Sequence, residues 1–157
     1  MRHSRVYVDT SVVGGCFDRE FEQWSNALVE DFRQARLHPV LSDLLAAEIK
    51  DAPKPVRELH AELLALVGTG IQLSTESIDL SDRYAAHGIL PLKFRNDMLH
   101  IALATVANAD VVASWNFRHI VRFDKIRLFN AVNLEAGYKP LAIHSPREIA
   151  SDDSQAE

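Results

Sequence analysis

Three carboxylates and one amide stand out for where they fall along the chain: Asp9, Glu48, Asp97 and Asn116. Asp9 closes the apolar run Val6-Tyr7-Val8, and Glu48 lies one to two helical turns past a second apolar segment. Asp97 opens a strongly apolar helical stretch, and Asn116 sits three residues beyond Val111-Val112-Ala113. Carboxylates gathered at one place cannot all stay ionised unaided, because two unit charges about 4 Å apart repel by roughly 4 kcal/mol at an effective dielectric near 20. Either their pKa values rise or a cation sits between them. Hard oxygen ligands without a Cys/His cluster favour Mg2+ or Mn2+ over zinc. Each acid also has a plainer reading. Asp9 can be a turn or helix cap, Glu48 a solvent-facing helix residue, and Asp97 a charge that favours a helix N-terminus.

The elements that must position these groups follow from hydrophobic periodicity. Val6–Val8 reads as a short buried strand closed by Asp9-Thr10-Ser11. Leu28, Val29, Phe32 and Ala35 recur at helical spacing behind Ser25, a candidate N-cap. Residues 38–42 read as a second strand and 43–50 as a helix carrying Glu48. Pro53 and Pro55 break that helix and start another, with Leu59, Leu63, Leu64 and Val67 on one face and Gly68 and Gly70 at its end. Residues 71–73 form a weak strand candidate, and the stretch after Ser74 is helical up to Gly88, a C′ residue. Residues 96–108 are apolar on nearly all sides, the mark of a buried helix.

Val111–Ala113 reads as a strand, followed by a helical stretch through Val121 and a short strand candidate at 126–128. Leu141-Ala142-Ile143 precedes a capping box, Ser145-Pro146-Arg147-Glu148, with Pro at N1. Strands alternating with helices imply an α/β sandwich with a mostly parallel sheet. Ligand sites of such sheets lie beyond the carboxyl ends of the strands, where Asp9 and Asn116 fall.

The chain has 157 residues, 47% apolar and 25% charged, and reads as one domain over 1–150 with a polar tail from 151 to 157. The lone Cys16 excludes an internal disulfide. No segment has the ~18 continuous apolar residues of a membrane span, so a cytoplasmic location and no membrane partner are expected. The net charge of −5 argues weakly against non-specific nucleic-acid binding, but residues 93–127 carry +3 and the remainder −8. A local basic stretch of that kind can form a phosphate-contacting rim.

Four segments together resemble the PIN-domain family, VapC-type toxins in particular. They are Val6-Tyr7-Val8-Asp9-Thr10-Ser11-Val12, Leu41-Ser42-Asp43-Leu44-Leu45-Ala46-Ala47-Glu48-Ile49, Asn96-Asp97-Met98-Leu99-His100-Ile101-Ala102-Leu103-Ala104 and Val111-Val112-Ala113-Ser114-Trp115-Asn116. They occur in the family's order over residues 6 to 116, and the Asp-x-x-His-x-Ala-x-Ala segment is the most specific. The resemblance implies a three-layer α/β/α sandwich around a short parallel sheet, with Asp9, Glu48 and Asp97 as metal-binding acids. It implies Mg2+- or Mn2+-dependent endonucleolytic cleavage of RNA, an antitoxin partner that blocks the site, and a homodimer. One departure is Asn116, where the family often has an acid; Asn keeps an oxygen but loses the charge.

On that reading the reaction is phosphodiester hydrolysis assisted by a bound metal. Asp9, Glu48, Asp97 and Asn116 form the catalytic set. Thr10, Ser11, Arg95, Arg118 and His119 are candidate phosphate contacts. His100 tempts as a general base, but a histidine on a buried helix is more often a hydrogen-bonded core residue. Trp115 can stack on a base or pack on the sheet edge. Phe21 and Trp24 suit the core or a partner, and the Phe123–Phe129 region suits a dimer or antitoxin surface. The alternative is a catalytically silent PIN-like module that binds RNA or protein. A haloacid-dehalogenase-type phosphatase would need an acid where Ser11 stands, a phospho-accepting receiver would need adjacent acids after the first strand, and the glycine-rich nucleotide loops are absent.

Overall fold

Val6, Tyr7 and Val8 point alternately to the two faces of a four-stranded sheet, and that alternation sorts the core. The computed structural model describes residues 4–67 and 70–151. Its strands are β1 (Arg5–Val8), β2 (His38–Val40), β3 (Val111–Ala113) and β4 (Ala142–His144), in the spatial order β2-β1-β3-β4 with every pairing parallel. Val6 and Val8 of β1, with Val111 and Ala113 of β3, face a core shared with Val12, Leu28, Phe32, Leu45, Ile49 and Leu63. That layer is built from α1 (Thr10–Gly15), α2 (Glu22–Arg33), α3 (Asp43–Ile49) and α4 (Lys54–Val67). Tyr7, Val112 and Ile143 face the other core, supplied mainly by α5 (Thr75–Ala86), α6 (Arg95–Val106) and α7 (Phe123–Glu135). A short α8 (Pro146–Ile149) follows β4 with the capping box that its sequence predicts. The result is a three-layer α/β/α sandwich on an all-parallel sheet.

The buried helix predicted at 96–108 is α6, in which every residue from Met98 to Thr105 is buried. A helix enclosed all round needs no polar face, which explains its apolar sequence. Gly88 has φ +70 and ends the turn after α5, as a C′ glycine does. Ser74 caps α5 through a reciprocal bond with Ser77.

Several expectations need correction. Ser25 is not an N-cap: α2 begins at Glu22, and the Ser25 hydroxyl is fully buried, donating to the Val12 carbonyl at 2.8 Å. Residues 71–73 form no strand; Ile71 makes one isolated bridge to Ser42, beyond the end of β2. The stretch after Asn116 is a run of turns rather than a helix. Residues 126–128 lie inside α7, where burial of Phe129, Val132 and Asn133 follows helical spacing that a three-residue window cannot show. The six-residue α1 follows Asp9 without a helical pattern of its own in the sequence. The Gly68 stop and most of the 151–157 tail lie outside the described residues, as do Met1 to His3. Ser151 is described, and its N–H donates to buried Asp31 at 2.8 Å. Among the described residues no helix is long and apolar enough to cross a membrane.

Candidate active site

The site grows from the register of β1 and β3. Val8 pairs with Ala113, so Asp9 and Ser114 leave the sheet side by side at its carboxyl edge. Asp9 then caps α1, with its Oδ1 accepting the Val12 N–H at 3.2 Å. Two hydroxyls complete its shell: Ser11 Oγ donates to Oδ1 at 2.6 Å and Ser114 Oγ to Oδ2 at 2.5 Å. The capping alternative for Asp9 is therefore realised, together with a position at the strand end. Asp9 is 5% exposed. Burial pushes its carboxyl above the usual range, against the opposing pull of His100, of the two serines and of the Val12 N–H.

Glu48 reaches the same edge from α3. Its Oε1 accepts from Thr10 Oγ1 at 2.7 Å and lies 2.5 Å from His100 Nε2. Burial works to raise this carboxyl too, but the contact with His100, followed by the hydrogen bonds from Thr10 and Asn96, outweighs it and holds the group below its usual value. Glu48 thus stays ionised while Asp9, one residue from Thr10, resists ionisation. Carboxyls whose environments shift them in opposite directions are common at catalytic sites.

Asp97 lies in the first turn of α6, three residues before His100 and so on the same helix face. Its Oδ2 is 2.9 Å from His119 Nδ1, and the His119 ring packs on Phe94 with centroids 4.0 Å apart. Asn116 follows Ser114, its backbone N–H donating to Ser114 Oγ at 2.9 Å, and spends its side-chain oxygen on its own turn. Its Oδ1 accepts the backbone N–H groups of Arg118 and His119, at 3.2 and 2.9 Å, and fixes the turn that carries His119. Thr10 and Ser11 spend their hydroxyls on Glu48 and Asp9, whereas Arg95 and Arg118 are exposed. Trp115 packs rather than presenting a face: its ring stacks on Phe21 at 4.5 Å and its indole N–H donates to Ser25.

Among the described residues no three His, Cys, Asp or Glu side chains stand close enough to form a metal-ligand group. Each acid instead bonds a donor of the protein itself. The donor chemistry nevertheless fits a hard divalent cation. Asp9, Glu48 and Asp97 offer oxygen only, and the imidazoles of His100 and His119 are already committed to carboxylates. The His119 bond takes a single oxygen on Asp97.

Asn96, unmarked in the sequence, stands beside the Glu48 carboxylate. Ser114, the partner of Asp9, is a second residue outside the candidate set. The signal for Ser114 was available, since it directly follows the strand that pairs with β1. Asn96 had no signal beyond its place next to Asp97. His100 is the hydrogen-bonded core residue that its helix implied, 3% exposed and bonded at both nitrogens, but one of its partners is Glu48.

Compared with known proteins by sequence, the chain matches no family model and no curated protein. By structure it is similar to a chain of VapBC2 from Rickettsia felis, solved bound to a DNA fragment from their promoter. The TM-score is 0.52 at 12% identity, and the match covers 90% of this chain and 98% of that one. A likeness at this identity speaks to the fold, and the fold it supports is the PIN-like three-layer sandwich.

Proposed function

We propose that this chain is a PIN-type, Mg2+- or Mn2+-dependent endoribonuclease, the toxin of a toxin–antitoxin pair. The observation that carries the reading is the grouping at the carboxyl edge of β1 and β3. A carboxyl raised by burial, Asp9, stands there one residue from the hydroxyl that holds ionised Glu48. The motif resemblance and the fold shared with a VapBC2 chain support it.

Asp9, Glu48 and Asp97 would hold the ion. When bound, it would polarise a phosphodiester and stabilise the charge that develops on its oxygens. The rest is done by the chain. Ser11 and Ser114 aim the Asp9 carboxylate, Thr10 and His100 hold Glu48, and His119 steadies Asp97. Arg95 and Arg118, both exposed, supply cationic contacts for substrate phosphates. An antitoxin partner, a homodimer and a cytoplasmic location complete the proposal.

A silent RNA- or protein-binding module is the second reading. Asn116 favours it, since its side-chain oxygen is spent on its own turn. Calorimetry with Mn2+ separates the two. Stoichiometric binding that is lost in Asp9→Asn supports the nuclease; absence of binding, with RNA present, supports the silent module.

A further inference from the structure

We propose that His100 is a positioning residue for Glu48, its imidazole locked with the proton on Nε2 by a relay from Ser42 through Tyr7. The inference rests on Glu48 belonging to the centre proposed above.

Three elements meet in this relay. Tyr7 projects from β1 into the α6 side of the core, Ser42 caps α3 just past β2, and His100 lies one turn into α6. Tyr7 is fully buried, and Ser42 and His100 are each 3% exposed. The Tyr7 hydroxyl is 2.8 Å from Ser42 Oγ and 2.6 Å from His100 Nδ1, with the two rings edge to face. Ser42 Oγ accepts the Leu45 N–H at 3.1 Å. At the far end His100 Nε2 meets Glu48 Oε1.

The direction of every bond follows from the donors available. An imidazole that accepts at Nδ1 carries its hydrogen on Nε2, so the bonding at Nδ1 decides what Nε2 presents to Glu48 Oε1. Ser42 Oγ already accepts from Leu45, and its own hydrogen has one described acceptor, the Tyr7 oxygen. Tyr7 then has its single hydrogen left for Nδ1. Each hydroxyl donates once and accepts once, and the imidazole is fixed in one tautomer. Were the relay reversed, Nδ1 would donate to Tyr7 and Tyr7 to Ser42. The Ser42 hydrogen would then be buried without an acceptor among the described residues, a costly arrangement.

The consequence reaches the surface. The Glu48 side chain is 27% exposed and has several rotatable bonds, so nothing in its backbone fixes where the carboxylate points. Its Thr10 partner is also near solvent, whereas His100 is held on both sides inside the core. Outer partners that fix a ligand's orientation commonly contribute ten- to hundredfold in metal affinity.

The test has two arms on the full chain. In the first, 15N NMR of metal-free protein locates the imidazole proton, with the His100 signals identified by their loss in His100→Gln. The expected result is a proton on Nε2, protected from solvent exchange in the wild type and rapidly exchanging in Glu48→Ala. A proton on Nδ1, or equal exchange in the two proteins, overturns the proposal. In the second arm Mn2+ affinity is measured by calorimetry. Tyr7→Phe, which removes one buried hydroxyl at nearly constant volume, weakens binding about tenfold. His100→Gln, whose amide can still donate to Glu48, binds Mn2+ more tightly than His100→Leu. Unchanged affinity in Tyr7→Phe, or equal affinity in the two His100 variants, overturns the proposal. If the wild type binds no Mn2+, the nuclease reading fails, and the proton position and its exchange still decide whether His100 holds Glu48.

Discussion

Gly14 and Gly15 are neighbours in α1, yet an added methyl group should act on them with opposite sign. Neither has a positive φ. At Gly14 a Cβ meets nothing within 4 Å. Alanine there gains helix propensity alone, so Gly14→Ala should stabilise by up to about 1 kcal/mol. At Gly15 the same Cβ would lie 2.7 Å from Ser25 Oγ and 2.9 Å from Trp115 Nε1. These two atoms are hydrogen-bonded to each other at 2.8 Å, and the methyl group would drive into that bond. Overpacking costs about 1–3 kcal/mol and a stranded buried N–H about 1–3 more, so after the propensity gain Gly15→Ala should destabilise by roughly 1–5 kcal/mol. The damage should spread to the acids, because the Trp115 backbone N–H donates to Ser11 Oγ, which holds Asp9. Urea denaturation followed by fluorescence, with equal slopes for all three proteins, gives the comparison directly. A Gly15→Ala midpoint at or above that of Gly14→Ala would refute the packing argument.

Other consequences are equally open to measurement. Burial pushes the Cys16 thiol up to about 11 from its usual 9.0, against weaker lowering by Arg33 and Ser25. The native thiolate fraction is then about a hundredfold below that of the unfolded chain, and a disulfide reagent should label Cys16 rapidly only in denaturant. Asn133 is fully buried, accepting from the Tyr84 hydroxyl and donating to Thr105 Oγ1 at 3.2 Å. Asn133→Ala should cost about 2–3 kcal/mol, more than Tyr84→Phe, and a double-mutant cycle should show coupling of about 1 kcal/mol between them. Burial holds the His60 imidazole below its usual 6.5. The native state therefore binds fewer protons than the unfolded one. The stability tied to His60 is present above 6.5 and is lost as pH falls through the lowered value. Urea midpoints taken at about pH 7.5 and about pH 5 should differ less in His60→Leu than in the wild type.

What the sequence reveals depends on how local the governing interaction is. The all-round burial of α6 is written in eight consecutive residues, and the Ser74 and Ser145 caps lie within four residues of their partners. Asp9 could be placed because a strand ending in an acid puts it at the sheet edge whatever follows. By contrast, α1 spans six residues and contains two glycines, too short a segment to show a period. The bond from Ser114 to Asp9 joins residues 105 apart, and that from Glu48 to His100 joins residues 52 apart. Such pairs come from the strand order, which no local pattern encodes. Asn116 illustrates the same limit. Its residue type suggested a weakened ligand, but only the backbone of the following turn shows that its oxygen is already engaged.

The central claim is that Asp9, Glu48 and Asp97 act together on RNA, and cleavage of a labelled RNA by the purified chain tests it most directly. The account predicts endonucleolytic products with Mg2+ or Mn2+, none with a chelator, and loss of cleavage in Asp9→Asn and Asp97→Asn proteins that remain folded. Cleavage by those variants at the wild-type rate, or products that persist in the chelator, would contradict it.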